Sequence, residues 1–376
     1  MASIFGNIFS DGMKSLFGKS GTDSVLGIDI GSSSVKVVEL KKKNGKAVLE
    51  TYGSLALGTY GGVEVGRVTN LDVDKLSQAT LDLLKESNAI TKLTGVGVPS
   101  SASLIFIISL PGNIEESALA AIIPNEARKY IPVPISEVSL DWSLIPRQAE
   151  AEDPNDYLHA NKPKESKTDV LVVAIHNETV TRYKDVLKKT ALEPAFFEME
   201  VFSTIRATFS HEFAPVLLMD FGASKTKLSI VEYGIVRTFH IVNRGSQDIT
   251  LNISQSMSIP FAEAETLKRE VGLNRTANAP VADSIKTSVD YIFNETNAVV
   301  LAYEKKYNKT ISKVILCGGG VLLKGFLQSA TANFHAEVAY GNPFSKTEAP
   351  AFLTPVLETS GPEFATAVGL ALRQLL

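Results

Sequence analysis

Val25–Leu40, VLGIDIGSSSVKVVEL, and Val216–Val231, VLLMDFGASKTKLSIV, are two versions of one pattern. In each, an apolar strand ends in Asp-x-Gly, a turn of small residues follows, and a lysine leads into a second strand of alternating character. The aspartates, Asp29 and Asp220, stand 191 residues apart. Two such hairpins about half a chain apart predict two lobes of like design facing a cleft.

The residue types in the turns suit an anion. Gly31 and Gly222 let backbone N–H groups approach a charged group with no Cβ in the way. Ser32, Ser33, Ser34 and Ser224 add short hydroxyl donors, and with Ala223 they form turns whose amides make an anion-binding nest. Lys36 and Lys225 supply countercharge. Asp29 and Asp220 would repel a phosphate, so they make sense as ligands of a hard cation that stands between them and the phosphate oxygens, often through water. One Asp-x-Gly would be no more than a turn; the matched pair points to phosphate binding. A third glycine site, Val314–Phe326, reads VILCGGGVLLKGF: a buried strand running into Gly318, Gly319 and Gly320 and then an amphipathic helix, an arrangement suited to a nucleotide. It is neither a dinucleotide fingerprint, since Leu323 stands where a third glycine would be needed, nor a P-loop, since Phe326 follows Gly325.

Outward from the hairpins, the pattern predicts a further strand near 47–52, a helix over 72–87 and a short strand at 96–99. Strands at 104–110, 138–145 and 169–175 and helices at 115–130 and 179–190 follow, with Pro124 expected to kink or divide the first of these helices. Residues 147–168 are polar and charged and read as a mobile surface loop. The second half predicts a strand at 237–243, helices at 246–257, 261–271 and 281–306, a strand at 313–316 and a final helix over 363–376.

With 376 residues the chain suits two or three domains. Its 44% apolar and 21% charged residues are those of a globular protein, and a net charge of −4 carries no basic footprint for nucleic acid. The single cysteine, Cys317, excludes an internal disulfide and predicts a reducing, cytoplasmic setting. The longest apolar run, 104–110, is far short of the ~20 residues a membrane helix needs. The first 19 residues place Ile4, Phe5, Ile8, Phe9, Met13, Leu16 and Phe17 at mostly helical spacing. They read as a leader that packs locally, with weak anchoring to a membrane or partner as the alternative.

Together these motifs resemble the actin, Hsp70 and sugar kinase ATPase superfamily. Val25–Lys36 resembles its first phosphate motif, Glu200–Ala207 (EVFSTIRA) the first connecting motif, Met219–Lys227 the second phosphate motif, Val314–Gly320 the adenosine motif and Gly361–Leu372 (GPEFATAVGLAL) the second connecting motif. Ala262–Lys268 (AEAETLK) is similar to the helix whose Glu and Lys contact adenine and ribose, which implies those roles for Glu265 and Lys268. Within the superfamily the resemblance is to the PilM family of type IV pilus assembly, over about residues 20–376. It implies an α/β, actin-like, ribonuclease H-like two-lobed fold with an inserted subdomain of the FtsA 1C type. The implied division is a leader (1–20), a first-lobe subdomain (21–100), the insertion (101–199), a return helix (200–215) and a second lobe (216–376) with a subdomain around 246–312. It also implies ATP and Mg²⁺ as ligands. The implied partner is the cytoplasmic N-terminal tail of a PilN-type inner-membrane protein, linked indirectly to the pilus assembly ATPase. The expected location is the cytoplasm, at the inner face of the cytoplasmic membrane.

Turnover needs a group that orients or deprotonates water. Glu200 is the candidate, its other reading being a helix cap or a salt bridge; nucleotide binding is the expectation and slow ATP hydrolysis the open question. Two alternatives follow from the same superfamily: a filament-forming, self-associating protein like FtsA, and a small-molecule kinase, for which the sequence identifies no catalytic Asp and leaves Asp141 of the insertion open.

Overall fold

The computed structural model describes residues 23–112, 114, 116–145, 167–210, 212 and 214–375. The expected leader and nearly all of the expected polar loop at 147–168 lie outside them. The described residues divide into a smaller compact unit, 101–179, and a larger one made of the remainder.

The larger unit holds two five-stranded sheets of the same design. In the first, β1 (Ser24–Ile30), β2 (Ser34–Lys43) and β3 (Lys46–Ala56) form an antiparallel meander, and β4 (Leu93–Val98) and β8 (Glu193–Met199) extend it in parallel, in the order β3-β2-β1-β4-β8. In the second, β9 (Val216–Phe221), β10 (Thr226–Glu232) and β11 (Ile235–Val242) repeat the meander, and β12 (Lys313–Cys317) and β13 (Glu337–Tyr340) repeat the parallel extension. The aspartate and lysine of each hairpin face one another across it: Asp29 pairs with Lys36, and Asp220 with Lys227.

β1 and β9 read as nearly unbroken apolar runs up to their aspartates because both faces of these central strands are covered. Each fully buried Val, Leu or Ile contributes ~1.5–3 kcal/mol. The long helix Thr354–Leu375 packs on β1 and β2, with Phe364, Ala367, Val368, Ala371 and Leu372 meeting Val25, Val38 and Leu40. Its approach is close enough to require glycine. A Cβ on Gly27 would lie 2.0 Å from the Ala367 carbonyl oxygen, and one on Gly369 would lie 1.8 Å from that of Ser203, in helix Glu200–Thr208. This helix starts nine residues before the predicted 363 and carries Pro362 inside it. Helices Ser246–Met257, Phe261–Val271 and Ala279–Tyr307 pack together and share a core with the second sheet.

The smaller unit is a three-stranded antiparallel sheet, β5 (Ser103–Pro111), β6 (Val138–Leu144) and β7 (Lys167–His176), in the order β5-β7-β6. One helix, Glu116–Ala127, runs through Pro124 without division and adds Leu119, Ile123 and Ala127 to a core with Ile108, Val170 and Val172. The insertion expected over 101–199 thus extends beyond this unit as far as β8, an edge strand of the first sheet.

Candidate nucleotide site

The two hairpin turns meet. Ser32 Oγ donates to Ser224 Oγ at 3.2 Å, joining the turn after β1 to the turn after β9. Each turn is closed by its glycine: Gly31 N–H donates to the Ser34 carbonyl at 2.9 Å and Gly222 N–H to the Lys225 carbonyl at 3.0 Å. Those two amides are therefore engaged. The turn carbonyls are taken from behind: Ser32 O by Thr69 N–H at 2.8 Å, Ser33 O by Leu57 N–H at 2.9 Å, Gly222 O by Ser246 N–H at 3.0 Å and Ala223 O by Gln247 N–H at 2.9 Å. The amides of Ser32, Ser33, Ala223 and Ser224, rather than the glycine ones, are left with no backbone acceptor among the described residues.

A cavity of about 600 Å³ lies at this junction. Every residue expected at the nucleotide site lines it: Asp29, Gly31, Ser32, Ser33, Ser34 and Lys36 from the first hairpin; Asp220, Gly222, Ala223, Ser224 and Lys225 from the second; Glu200; Glu265 and Lys268; Gly318, Gly319 and Gly320. Asp141 is elsewhere, buried in β6 of the smaller unit, with Oδ1 accepting the Trp142 N–H at 2.9 Å.

The charges on the cavity wall are arranged asymmetrically. Lys227 Nζ lies 2.8 Å from Asp220 Oδ2 and 2.9 Å from Glu200 Oε2. Burial alone would lower this ammonium's pKa, but Asp220 and Glu200 outweigh it and hold it above the ordinary lysine value. Glu200 is the first residue of its helix, and its Oε1 accepts the Ser100 N–H at 2.7 Å and the Ser100 hydroxyl at 2.8 Å. The first hairpin has no such bridge. Lys36 Nζ donates to Ser34 Oγ at 2.9 Å, and no hydrogen bond or ion pair among the described residues reaches the Asp29 carboxylate. Burial pushes that carboxyl up to about 6; Lys36 opposes the shift, while Glu200 and Asp220 add to it. Sequence reading paired Lys36 with Lys225 and passed over Lys227. The signal was present, because the offset that carries Asp29 onto Asp220 also carries Lys36 onto Lys227.

The glycine run stands beside the second aspartate. Gly318 has φ +86°, and a Cβ there would lie 2.4 Å from Asp220 Oδ1. Its N–H donates to the Pro362 carbonyl at 2.8 Å. A short 3₁₀ turn, Gly319–Leu322, separates the run from helix Phe326–Asn333, so the glycines do not open that helix directly as the sequence suggested. Also on the cavity wall, Glu265 and Lys268 form a buried pair at 2.7 Å. Thr250 Oγ1 donates to Glu265 Oε2 at 2.6 Å, and Arg269 Nε lies 2.8 Å from Glu265 Oε1. Burial pushes the Glu265 carboxyl up, but Lys268, Thr250 and Arg269 together hold it below the usual range. Gly66, at φ +93°, covers this pair; a Cβ on it would sit 2.9 Å from the Glu265 carboxyl carbon.

A family model described as type IV pilus assembly protein PilM matches residues 27–375. The chain belongs to the PilM family. Among solved structures, a PilM-PilN type IV pilus biogenesis complex is similar at 23% identity, over 94% of this chain and 98% of that one, with a TM-score of 0.77. The ethanolamine utilization protein EutJ from Carboxydothermus hydrogenoformans is similar at 16% identity, over 96% and 93% of the two chains, with a TM-score of 0.51. The PilM family fold here is the actin-like one expected from the doubled hairpin. No helix among the described residues is long and apolar enough to cross a membrane.

Proposed function

We propose that this PilM-family chain is an ATP-binding scaffold of type IV pilus assembly, cytoplasmic and held at the inner face of the membrane by docking a PilN-type tail. One observation carries the nucleotide reading: two registered Asp–Lys hairpins turn their serine-rich loops toward each other at one cavity, with the loop carbonyls engaged behind and four loop amides left for an anion. The triphosphate lies against Ser32, Ser33, Ala223 and Ser224, with Lys36 as countercharge. The nucleoside contacts Glu265, Lys268 and the 318–320 glycines, which line the same cavity. The PilN reading is supported by family membership and by the similar complex, which contains PilN.

The donor set fits a divalent ion only in part. Among the described residues no cluster of three or more His, Cys, Asp or Glu side chains would hold a metal unaided. Mg²⁺ needs only one or two carboxylates when phosphate oxygens and water complete its shell. Asp29, a carboxylate with no direct partner among the described residues, fits that role, with Asp220 the second candidate. The ion would supply charge neutralisation at the phosphates. Both Glu200 oxygens are already engaged, by Ser100 and by Lys227, which supports binding ahead of turnover.

Two measurements test the reading separately. Calorimetric titration should detect ATP binding to the full chain; a flat trace removes the nucleotide site. A synthetic PilN-type N-terminal peptide should capture the chain with or without ATP; failure in both states removes the docking role and leaves the nucleotide site to the titration.

A further inference from the structure

The second hairpin contains a cation of its own. Lys227 is the strand partner of Asp220, and its ammonium is shared between the Asp220 and Glu200 carboxylates on the cavity wall. Glu200 is fixed there by two bonds from Ser100, so the bridge is anchored at both ends. The first hairpin has the same Asp–Lys register, but among the described residues no third carboxylate contacts its lysine, and Lys36 turns to Ser34 instead. We propose that Lys227 is a tethered cation that stands in for a divalent ion at the second aspartate, so that a nucleotide's phosphates bind here with little dependence on divalent metal.

The argument is electrostatic and rests on the nucleotide reading above. Three carboxylates, Asp29, Asp220 and Glu200, face an incoming polyanion, and at a few ångströms in a partly desolvated site each repulsion is large. Without Lys227, the turn lysines Lys36 and Lys225, which also line the cavity, would face all three carboxylates as well as the phosphates, and an added divalent ion would be needed to offset the remainder. Lys227 offsets two of the three before any ligand arrives, and a metal approaching Asp220 must compete with an ammonium already 2.8 Å away. Only Asp29 is left to a metal. A lysine serving merely as a structural bridge would change stability on removal, but not the ratio of affinities with and without metal.

That ratio is the test. ATP is titrated into the full chain by calorimetry, once in Mg²⁺ and once in EDTA. The proteins are the native chain, Lys227→Met and the double variant Lys227→Met/Glu200→Gln. The double variant removes one charge of each sign, so the net charge of the site is unchanged, and the glutamine keeps an Oε1 acceptor for Ser100; it serves if the single variant does not fold. The native chain should lose no more than about fivefold in affinity in EDTA, and either folded variant about thirtyfold or more. Equal ratios in native chain and variants overturn the inference, as does a native chain that binds only with Mg²⁺; in both cases the nucleotide reading stands. No ATP binding by the native chain in either buffer overturns the nucleotide reading, and the inference with it.

Discussion

The hairpins β1–β2 and β9–β10 share a pattern, a register and a place at the same cavity, yet their charges are wired differently. Asp220 is neutralised by its own strand partner, whereas Asp29 is not. The strands themselves do not cause this, because both present a lysine opposite an aspartate. The cause is Glu200, brought to Lys227 by the first turn of helix Glu200–Thr208 and fixed by Ser100. The lesson is that a repeated unit sets which groups are neighbours, while a third element decides which of them pair.

The comparison is broken most severely by substitutions at the glycines behind each hairpin. Gly27→Val drives a side chain into the Ala367 carbonyl, and Gly318→Val drives one into Asp220 and the Phe221 carbonyl at a positive φ. We expect each to cost about 4 kcal/mol or more, since the Ala367 and Phe221 carbonyls are backbone and cannot swing aside, and Gly318 also has a positive φ. Urea denaturation checks this; a loss under about 1 kcal/mol in either would show that helix and hairpin do not press together as described.

A smaller effect comes from the support of the helix that carries Glu200. Glu198, at the end of β8, is buried and bonded to Arg206 at 2.7 Å, to Arg373 at 2.9 Å and to Ser203 at 2.5 Å. Burial pushes its carboxyl up, but the two guanidinium groups and Ser203 outweigh it and hold it below its ordinary 4.5. A lowered carboxyl contributes stability that is present above the ordinary value and is lost as pH falls through the folded value. Glu198→Gln, which leaves two arginines short of charge, should cost about 3 kcal/mol at pH 7 and flatten the fall of stability below pH 4.5. An unchanged acid limb would remove Glu198 from the account.

The sharpest and smallest test sets the aspartates against each other. The Asp29 carboxyl is raised from 3.8 to about 6, so its favourable contribution is complete below 3.8 and lost as pH rises through 6. At pH 7.5 Asp29→Asn should therefore stabilise the unliganded chain, by about 1–2 kcal/mol after allowance for its partial exposure. Asp220→Asn takes one of its two carboxylates from Lys227, leaving Glu200, and should destabilise by about 1 kcal/mol. Thermal melts read both; shifts of the same sign would mean that the hairpins are wired alike.

Much of this was legible in the residues, because strand alternation and Asp-x-Gly turns are local signals. The doubled motif exposes the two central hairpins and their cavity residues, while Glu200, Glu265, Lys268 and the 318–320 glycines come from the further motifs. Lys227 was missed because a charge was sought inside the turn, at Lys225, whereas cross-strand register is set by pairing. Strands β8 and β13 were missed because parallel edge strands take their partners from distant segments. The start of helix Thr354–Leu375 was misread at Pro362, which the sequence marks as a breaker; tight packing on β1 carries the helix through it. The pairing of Glu200 with Lys227 depends on contacts between residues 27 apart, which no local pattern encodes.

The most direct test of the central claim is hydrogen exchange of the full chain with and without saturating ATP, read over segments 29–36 and 220–227. The account predicts that exchange slows by about tenfold or more in both segments at once, because each turn supplies amides to the same phosphates. ATP that binds while slowing only one segment, or neither, would contradict it.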